Sequence, residues 1–189
     1  MKSFISLVAA LALAGCTAIE YKSVPVDSPS PFGAEGLKKC PEKLGNDASC
    51  TARILADQLA TPTGIQVAEK GETFCISVLP HQVWFDAGRR NTPPHGEEGN
   101  WIMKFGTKRH PEAGYFSLMV DVQAKPPAIQ SKTAKQVGDS PGWTYTADGV
   151  GALVLYPNDA IGSAGEPEYY YKNNSGYIWV TIKRCAAKR

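Results

Sequence analysis

The chain has 189 residues, 20 Lys+Arg against 18 Asp+Glu, and a formal net charge of +2. A charge so close to balance leaves no electrostatic footprint for nucleic acid or for an anionic lipid surface. The length suits one domain with a full core plus some tail, and 18 Gly, 14 Pro and abundant aromatics lean toward an all-β fold with many turns.

The N-terminus reads as an export signal. Lys2 supplies the positive charge, and residues 4–13 form an uncharged apolar stretch too short to span a bilayer. It runs into Leu13-Ala14-Gly15-Cys16, which resembles the lipobox of bacterial lipoproteins. The resemblance implies that residues 1–15 are removed and that Cys16 becomes the lipidated first residue. Acyl chains contribute about 0.8 kcal/mol per buried CH₂, so a multi-chain anchor holds a domain stably at a membrane. Thr17 follows the cysteine, where an aspartate would imply inner-membrane retention by the same resemblance. The expected location is therefore the outer membrane, with the facing leaflet open. No second apolar run approaches membrane-spanning length.

With Cys16 set aside, Cys40, Cys50, Cys75 and Cys185 remain. Four cysteines in an exported chain read as two disulfides with three possible connectivities, and proximity favours Cys40–Cys50. A metal-site reading is weaker, because no CxxC occurs and His81, His95 and His110 are scattered.

Residues 16–36 carry Pro25, Pro29 and Pro31 among small polar residues and read as an extended, solvated tether. Residues 37–62 hold the first cysteine pair around one expected short helix. Asp47 or Ser49 would cap it, and Thr51, Ile54, Leu55, Gln58 and Leu59 would share a face until Thr61-Pro62 ends it. Residues 63–186 form the expected β domain. Glu69-Lys70-Gly71-Glu72 reads as a turn, and strands are expected over 73–79, 83–87, 101–105 and 150–156. Phe116, Leu118, Val120 and Val122 alternate with Ser117, Met119, Asp121 and Gln123, giving a strand with one apolar face. Ile178, Val180 and Ile182 alternate with Tyr177, Trp179, Thr181 and Lys183 in the last strand. Short strands and turn clusters predict an antiparallel β-sandwich.

No motif makes an enzyme. Gly138-Asp139-Ser140-Pro141-Gly142 matches G-x-S-x-G, but Pro141 lacks the N–H that an oxyanion hole needs after the serine. That segment reads as a turn. Glu97-Glu98 and the pair Glu166 and Glu168 sit in expected loops, where solvated carboxylates are the ordinary case. The C-terminal third is richer. Residues 151–157 form a strand ending at Asn158-Asp159, and Asn173-Asn174-Ser175-Gly176 leads into the last strand. Asp159, Asn173 and Asn174 are hard oxygen donors on adjoining loops of two strands that would be neighbours, a set that suits Ca²⁺. Asn and Asp also fill turns for their own backbone hydrogen bonds, and from the residues alone that reading comes first.

The Asn158-Asp159 and Asn173-Asn174-Ser175-Gly176 segments resemble the PA-I-like galactose-binding bacterial lectins. Residues 69–88, with Val83-Trp84-Phe85-Asp86-Ala87-Gly88, resemble that family's early strands and tryptophan-bearing turn. Trp101-Ile102-Met103-Lys104-Phe105-Gly106 resembles a middle strand, and the likeness covers roughly 64–184. It implies a jelly-roll-like sandwich that binds one calcium bridged by two sugar hydroxyls. Asp159, Asn173 and Asn174 would be side-chain ligands, with main-chain carbonyls from Ala87 and Tyr170. His95, preceded by Pro94, would be the sugar-contacting histidine beside Asp159 and Asn173. The resemblance also implies Cys75–Cys185, joining an early strand to the last.

The sequence departs from the family in three places. The loop between Asp159 and Asn173 is longer and holds Glu166, Glu168 and Tyr169-Tyr170-Tyr171. The loop after Gly88 is shorter, while His110-Pro111 keeps the dipeptide on the wrong side of the middle strand. The stretch 106–149 is expanded. The resulting expectation is an outer-membrane lipoprotein that binds a galactoside-like carbohydrate through Ca²⁺ and catalyses nothing. The rival is a structural or interaction lipoprotein whose loops contact an envelope protein, with Tyr169–Tyr171 as anchor.

Overall fold

The computed structural model describes residues 40–79, 81–86, 89–99, 107–123, 131–162 and 166–186. The signal segment, Cys16, the tether, Ala87 and the strand expected over 101–105 lie outside the described residues.

In chain order the strands are Ser49–Leu55 (β1), Thr61–Val67 (β2), Thr73–Val78 (β3), Trp84–Asp86 (β4), Arg89–Thr92 (β5) and Thr107–Lys108 (β6). Leu118–Gln123 (β7), Lys135–Gln136 (β8), Trp143–Thr146 (β9), Gly151–Pro157 (β10), Ala160–Ile161 (β11) and Tyr177–Cys185 (β12) follow. One four-stranded sheet has the order β1-β12-β3-β9 and the other β2-β10-β7-β8. Two short ribbons, β4 with β5 and β6 with β11, sit beside them. All of these pairings are antiparallel, as the short strands and frequent turns predict.

The clean alternation of β12 survives intact: Ile178, Val180 and Ile182 are fully buried. They join Ile54, Phe74 and Ile76 of the same sheet and Ile65, Val67, Leu118, Val120, Leu153 and Leu155 of the other in one cluster. The two sheets therefore share a core, and each aliphatic side chain in it contributes about 1.5–3 kcal/mol relative to exposure. The β7 strand departs from its expected single apolar face. Met119, with Val154 and Tyr156 of β10, forms a second cluster capped by Ala113 and Ala134 from loops. Asp121 is buried on that same side and accepts hydrogen bonds from the Val122 N–H at 2.8 Å and the Thr133 hydroxyl at 2.8 Å. Folded-over loops cover a face that alternation alone assigns to solvent.

The short helix expected within residues 37–62 is absent from the described part of that segment, residues 40–62, which holds β1 and the start of β2. β1 pairs with β12 from Ser49↔Lys183 to Leu55↔Tyr177, and Cys50, Ala52 and Ile54 are buried with period two. The residues that suggested a helical face fit a strand equally well over so short a window, and β12 supplies the partner that decides between them. Pro62, which was to end the helix, lies on the edge strand β2, where a missing N–H costs no ladder bond. The Glu69–Glu72 turn forms as read, with Gly71 at φ 95°. Both disulfides are present: Cys40–Cys50 ties the chain ahead of β1 to that strand, and Cys75–Cys185 joins β3 to the end of β12.

Candidate cation site

The site grows from the turn that follows β10. Asn158 is fully buried, and its side chain is consumed by structure. Its Oδ1 accepts from the His110 N–H at 3.0 Å, and its Nδ2 donates to the carbonyls of His110, Ala113 and Gly114 at 3.0, 3.2 and 2.9 Å. This clamp fixes where the chain turns toward Asp159. The Arg109 N–H donates to the Asp159 carbonyl at 2.9 Å. The Tyr171 hydroxyl donates to the Pro157 carbonyl at 2.9 Å and accepts from the Asp159 N–H at 3.4 Å. Arg109, only 1% exposed, lays its guanidinium 3.8 Å from the centre of the Tyr156 ring and donates to the Leu59 carbonyl. Arg109 carries no spacing signal in the sequence, and Tyr171 is marked there only as one of the Tyr169–Tyr171 run, with no scaffold role.

Asp159 is 4% exposed. Its Oδ1 accepts from the Ala160 N–H at 2.6 Å, and its Oδ2 accepts from Asn174 Nδ2 at 2.8 Å. Burial pushes its carboxyl up to about 7, against the opposing pull of those two hydrogen bonds, and the negative charge of Asp86 pushes the same way as burial. Asn174 is 5% exposed, and its Nδ2 also donates to the Ala56 carbonyl at 3.3 Å. Its Oδ1 is buried with no hydrogen-bond partner. An unsatisfied buried acceptor costs about 1–3 kcal/mol, so a group that supplies positive charge there has a place to bind.

A 3-10 turn, Tyr171–Asn173, delivers Asn174, whose N–H donates to the Tyr171 carbonyl at 3.1 Å. Two of the three expected side-chain ligands thus meet, although β10 and β12 lie in different sheets rather than side by side. Asn173 is exposed on the turn, and the contact with Asp159 belongs to Asn174. Tyr170 is half-buried, packs against the main core and sets its ring edge-on to Tyr169 with centroids 5.2 Å apart. Tyr115 lies close enough to feel both: its hydroxyl is pushed up first by burial, then by Asp159 and Tyr170. The three-tyrosine run divides by environment. Tyr171 is buried in the scaffold, and Tyr169 is 58% exposed.

His95 is exposed and lines a cavity of about 390 Å³ together with His81, Gln82, Asp139 and Ser140. Asp159, Asn173 and Asn174 are not among that cavity's lining residues. His110 of the second His-Pro pair is buried, with Nε2 2.9 Å from the Tyr156 hydroxyl, and burial followed by the Arg109 charge pulls its pKa down. Trp84, expected on the family's turn, is fully buried in the core and offers no ring to a ligand. Glu168 forms an ion pair with Lys172 at 3.5 Å, and Glu166 is exposed. The Gly138–Gly142 segment is the turn expected of it, closed by the Trp143 N–H on the Ser140 carbonyl at 3.1 Å.

Among the described residues no group of three or more His, Cys, Asp or Glu side chains is placed to hold a metal. A cation here would therefore draw on amide and main-chain oxygens beside few carboxylates, a donor set that suits Ca²⁺ rather than a transition metal. Comparison of the chain with protein-family models and with curated proteins returns no match.

Proposed function

We propose that this chain is an outer-membrane lipoprotein, anchored through Cys16, whose β domain binds carbohydrate through calcium. The two sheets are read as a jelly-roll-like sandwich, and the domain binds rather than reacts. One observation carries the reading: the buried, unpartnered Oδ1 of Asn174 sits on the amide that already touches the Asp159 carboxylate. Asp159 and Asn174 would hold the ion, with Asn173 and the carbonyls of Tyr170 and Ala87 as further donors. Bound calcium supplies coordination positions that two vicinal hydroxyls of a neutral sugar can take from water. Around it the protein's own groups set the stage: the Asn158 clamp and the Tyr171 hydroxyl fix the Asp159 turn.

An aromatic face covering the C–H side of a sugar adds apolar contact. Tyr169 is the exposed ring on the loop that leads to Asn174, whereas His95 lines a separate cavity. Galactosides are the first sugars to test. Calcium-dependent binding on a glycan array should vanish in chelator, and Tyr169→Ala should weaken sugar binding several-fold while leaving calcium binding intact. Sugar binding that is indifferent to calcium would reject this reading. Labelled palmitate should enter the wild type and not Cys16→Ser; equal labelling of both would remove the anchor.

A further inference from the structure

We infer that the end of the β domain at which the tether enters is a docking surface for anionic phospholipid headgroups, and that docking there points the calcium-site loops away from the membrane. The inference rests on the lipid-anchored reading proposed above. Three observations carry it.

The first is the distribution of charge. The near-balance of the whole chain hides a local surplus. Residues 38–43 and 183–189 hold seven of the 20 Lys and Arg but one of the 18 Asp and Glu, which leaves 13 against 17 elsewhere. Composition alone argues against an anionic surface as partner; the fold, by bringing these charges together, argues for one.

The second is topology. Leu44 and Arg184 are 140 residues apart in the chain, yet the Arg184 guanidinium donates to the Leu44 carbonyl at 3.3 Å. Beside it the Asp47 N–H donates to the Arg184 carbonyl at 3.1 Å, and the Arg184 N–H donates to the Ala48 carbonyl at 3.0 Å. Ser49 stands opposite Lys183, and Cys40–Cys50 pins the tether's point of entry to β1. Lys38 and Lys39 precede Cys40 directly, and Lys188 and Arg189 follow Ala186 within three residues, a reach of at most about 11 Å. Asp47 pairs with Lys183 at 3.2 Å, Glu72 with Arg184 at 3.1 Å and Lys70 with Asp148 at 2.6 Å. The surplus is therefore carried by Lys38, Lys39, Lys43, Lys188 and Arg189, against Glu42 and the neighbouring Glu69.

The third is direction. β12 runs nine residues, roughly 30 Å of extended chain, from Tyr177 to the basic end at Cys185. Asn174, which touches Asp159, stands just before its start. The candidate cation site and the basic surface thus lie at opposite ends of one strand. Each Lys or Arg near an anionic membrane surface adds about fivefold to binding. A lipid-anchored tether that ends at Cys40 keeps this end at high local concentration beside the bilayer, so a modest attraction suffices.

The test removes the acyl chains so that the surface acts alone. The processed chain, residues 16–189 with Cys16→Ser, is sedimented with vesicles of phosphatidylcholine or of an equal mixture with phosphatidylglycerol. It should bind the anionic vesicles at least tenfold tighter than the neutral ones, and high salt should remove the preference. Combining Lys38→Gln, Lys39→Gln, Lys188→Gln and Arg189→Gln should remove it too. Lys132→Gln with Lys135→Gln, two exposed lysines at and just before β8, should leave it intact. Equal binding to both vesicles, or a combined variant within twofold of the parent, overturns the inference. So does an equal loss from the Lys132 and Lys135 changes, which would make the attraction a property of the whole surface. On anionic vesicles, hydrogen exchange should slow over residues 40–48 and 183–186 and stay unchanged over 166–174; slowing at 166–174 instead overturns the orientation. Palmitate labelling is read separately: no label with anionic binding intact removes the anchor and leaves the surface standing.

Discussion

Asp159 shows how one buried carboxyl couples its loop to pH. Its pKa of about 7 in the folded protein stands above an unfolded value of 3.8. The folded state therefore holds the proton more tightly, and the stability this group contributes is fully present below about pH 4. It is lost as pH rises through about 7. At roughly 1.4 kcal/mol per pH unit the loss amounts to about 4 kcal/mol. His110 acts in the opposite sense, since its pKa is lowered, first by burial; its contribution is present above 6.5 and lost as pH falls through the depressed value. Urea denaturation in EDTA between pH 4 and 8 should separate the two. Subtracting the Asp159→Asn profile removes His110 and leaves a fall in stability toward neutral pH. Identical slopes in wild type and variant would contradict the burial argument. Calcium bound as proposed would reverse the cost, because a cation would replace the proton.

At the scale of elements, β12 was legible because seven of its nine residues, Tyr177 to Lys183, alternate without interruption. β3 and β10 were legible within a residue or so of their ends, because their apolar residues run between turn signals. β1 was not. Its seven residues satisfy a helical stripe and a strand equally, and only pairing with β12, more than a hundred residues away, decides. Side chains separate the two readings. Ile54 is fully buried, whereas Leu55 is half-exposed on the opposite face of β1. Ile54→Ala should cost about 2–5 kcal/mol and Leu55→Ala well under half as much, by chemical denaturation. Equal costs would favour the shared helical face. The site divides in the same way. Asp159 and Asn174 could be named because they border strands with clear patterns and fit a family resemblance. Arg109 and Tyr115 could not, because the packing of Arg109 on Tyr156 and of Tyr115 near Asp159 are long-range contacts that leave no periodicity in the sequence.

At the scale of the molecule, two four-stranded sheets and two disulfides among the described residues frame the loops that bring Asp159 and Asn174 together. Cys75–Cys185 closes 110 residues of chain, and native bridges of this kind contribute about 2–4 kcal/mol. Such a frame lets the Asp159 and Asn174 loops remain in contact while an acceptor stays unsatisfied. Under the proposed function the chain would be exported and would meet calcium at concentrations that make weak sites useful, and few carboxylates would place the affinity near roughly 10⁻⁴–10⁻³ M. A ligand stabilises in proportion to RT ln(1 + [L]/Kd), so a melting temperature should stay flat at micromolar calcium and climb only above that range. The decisive measurement is the melting temperature of wild type and Asp159→Ala across micromolar to ten-millimolar calcium at constant ionic strength. The account predicts a rise in wild type that begins in the sub-millimolar range and is absent from a folded Asp159→Ala. A wild type whose melting temperature ignores calcium, with no heat on titration, would contradict the calcium site and leave the chain as a non-catalytic interaction module of the envelope.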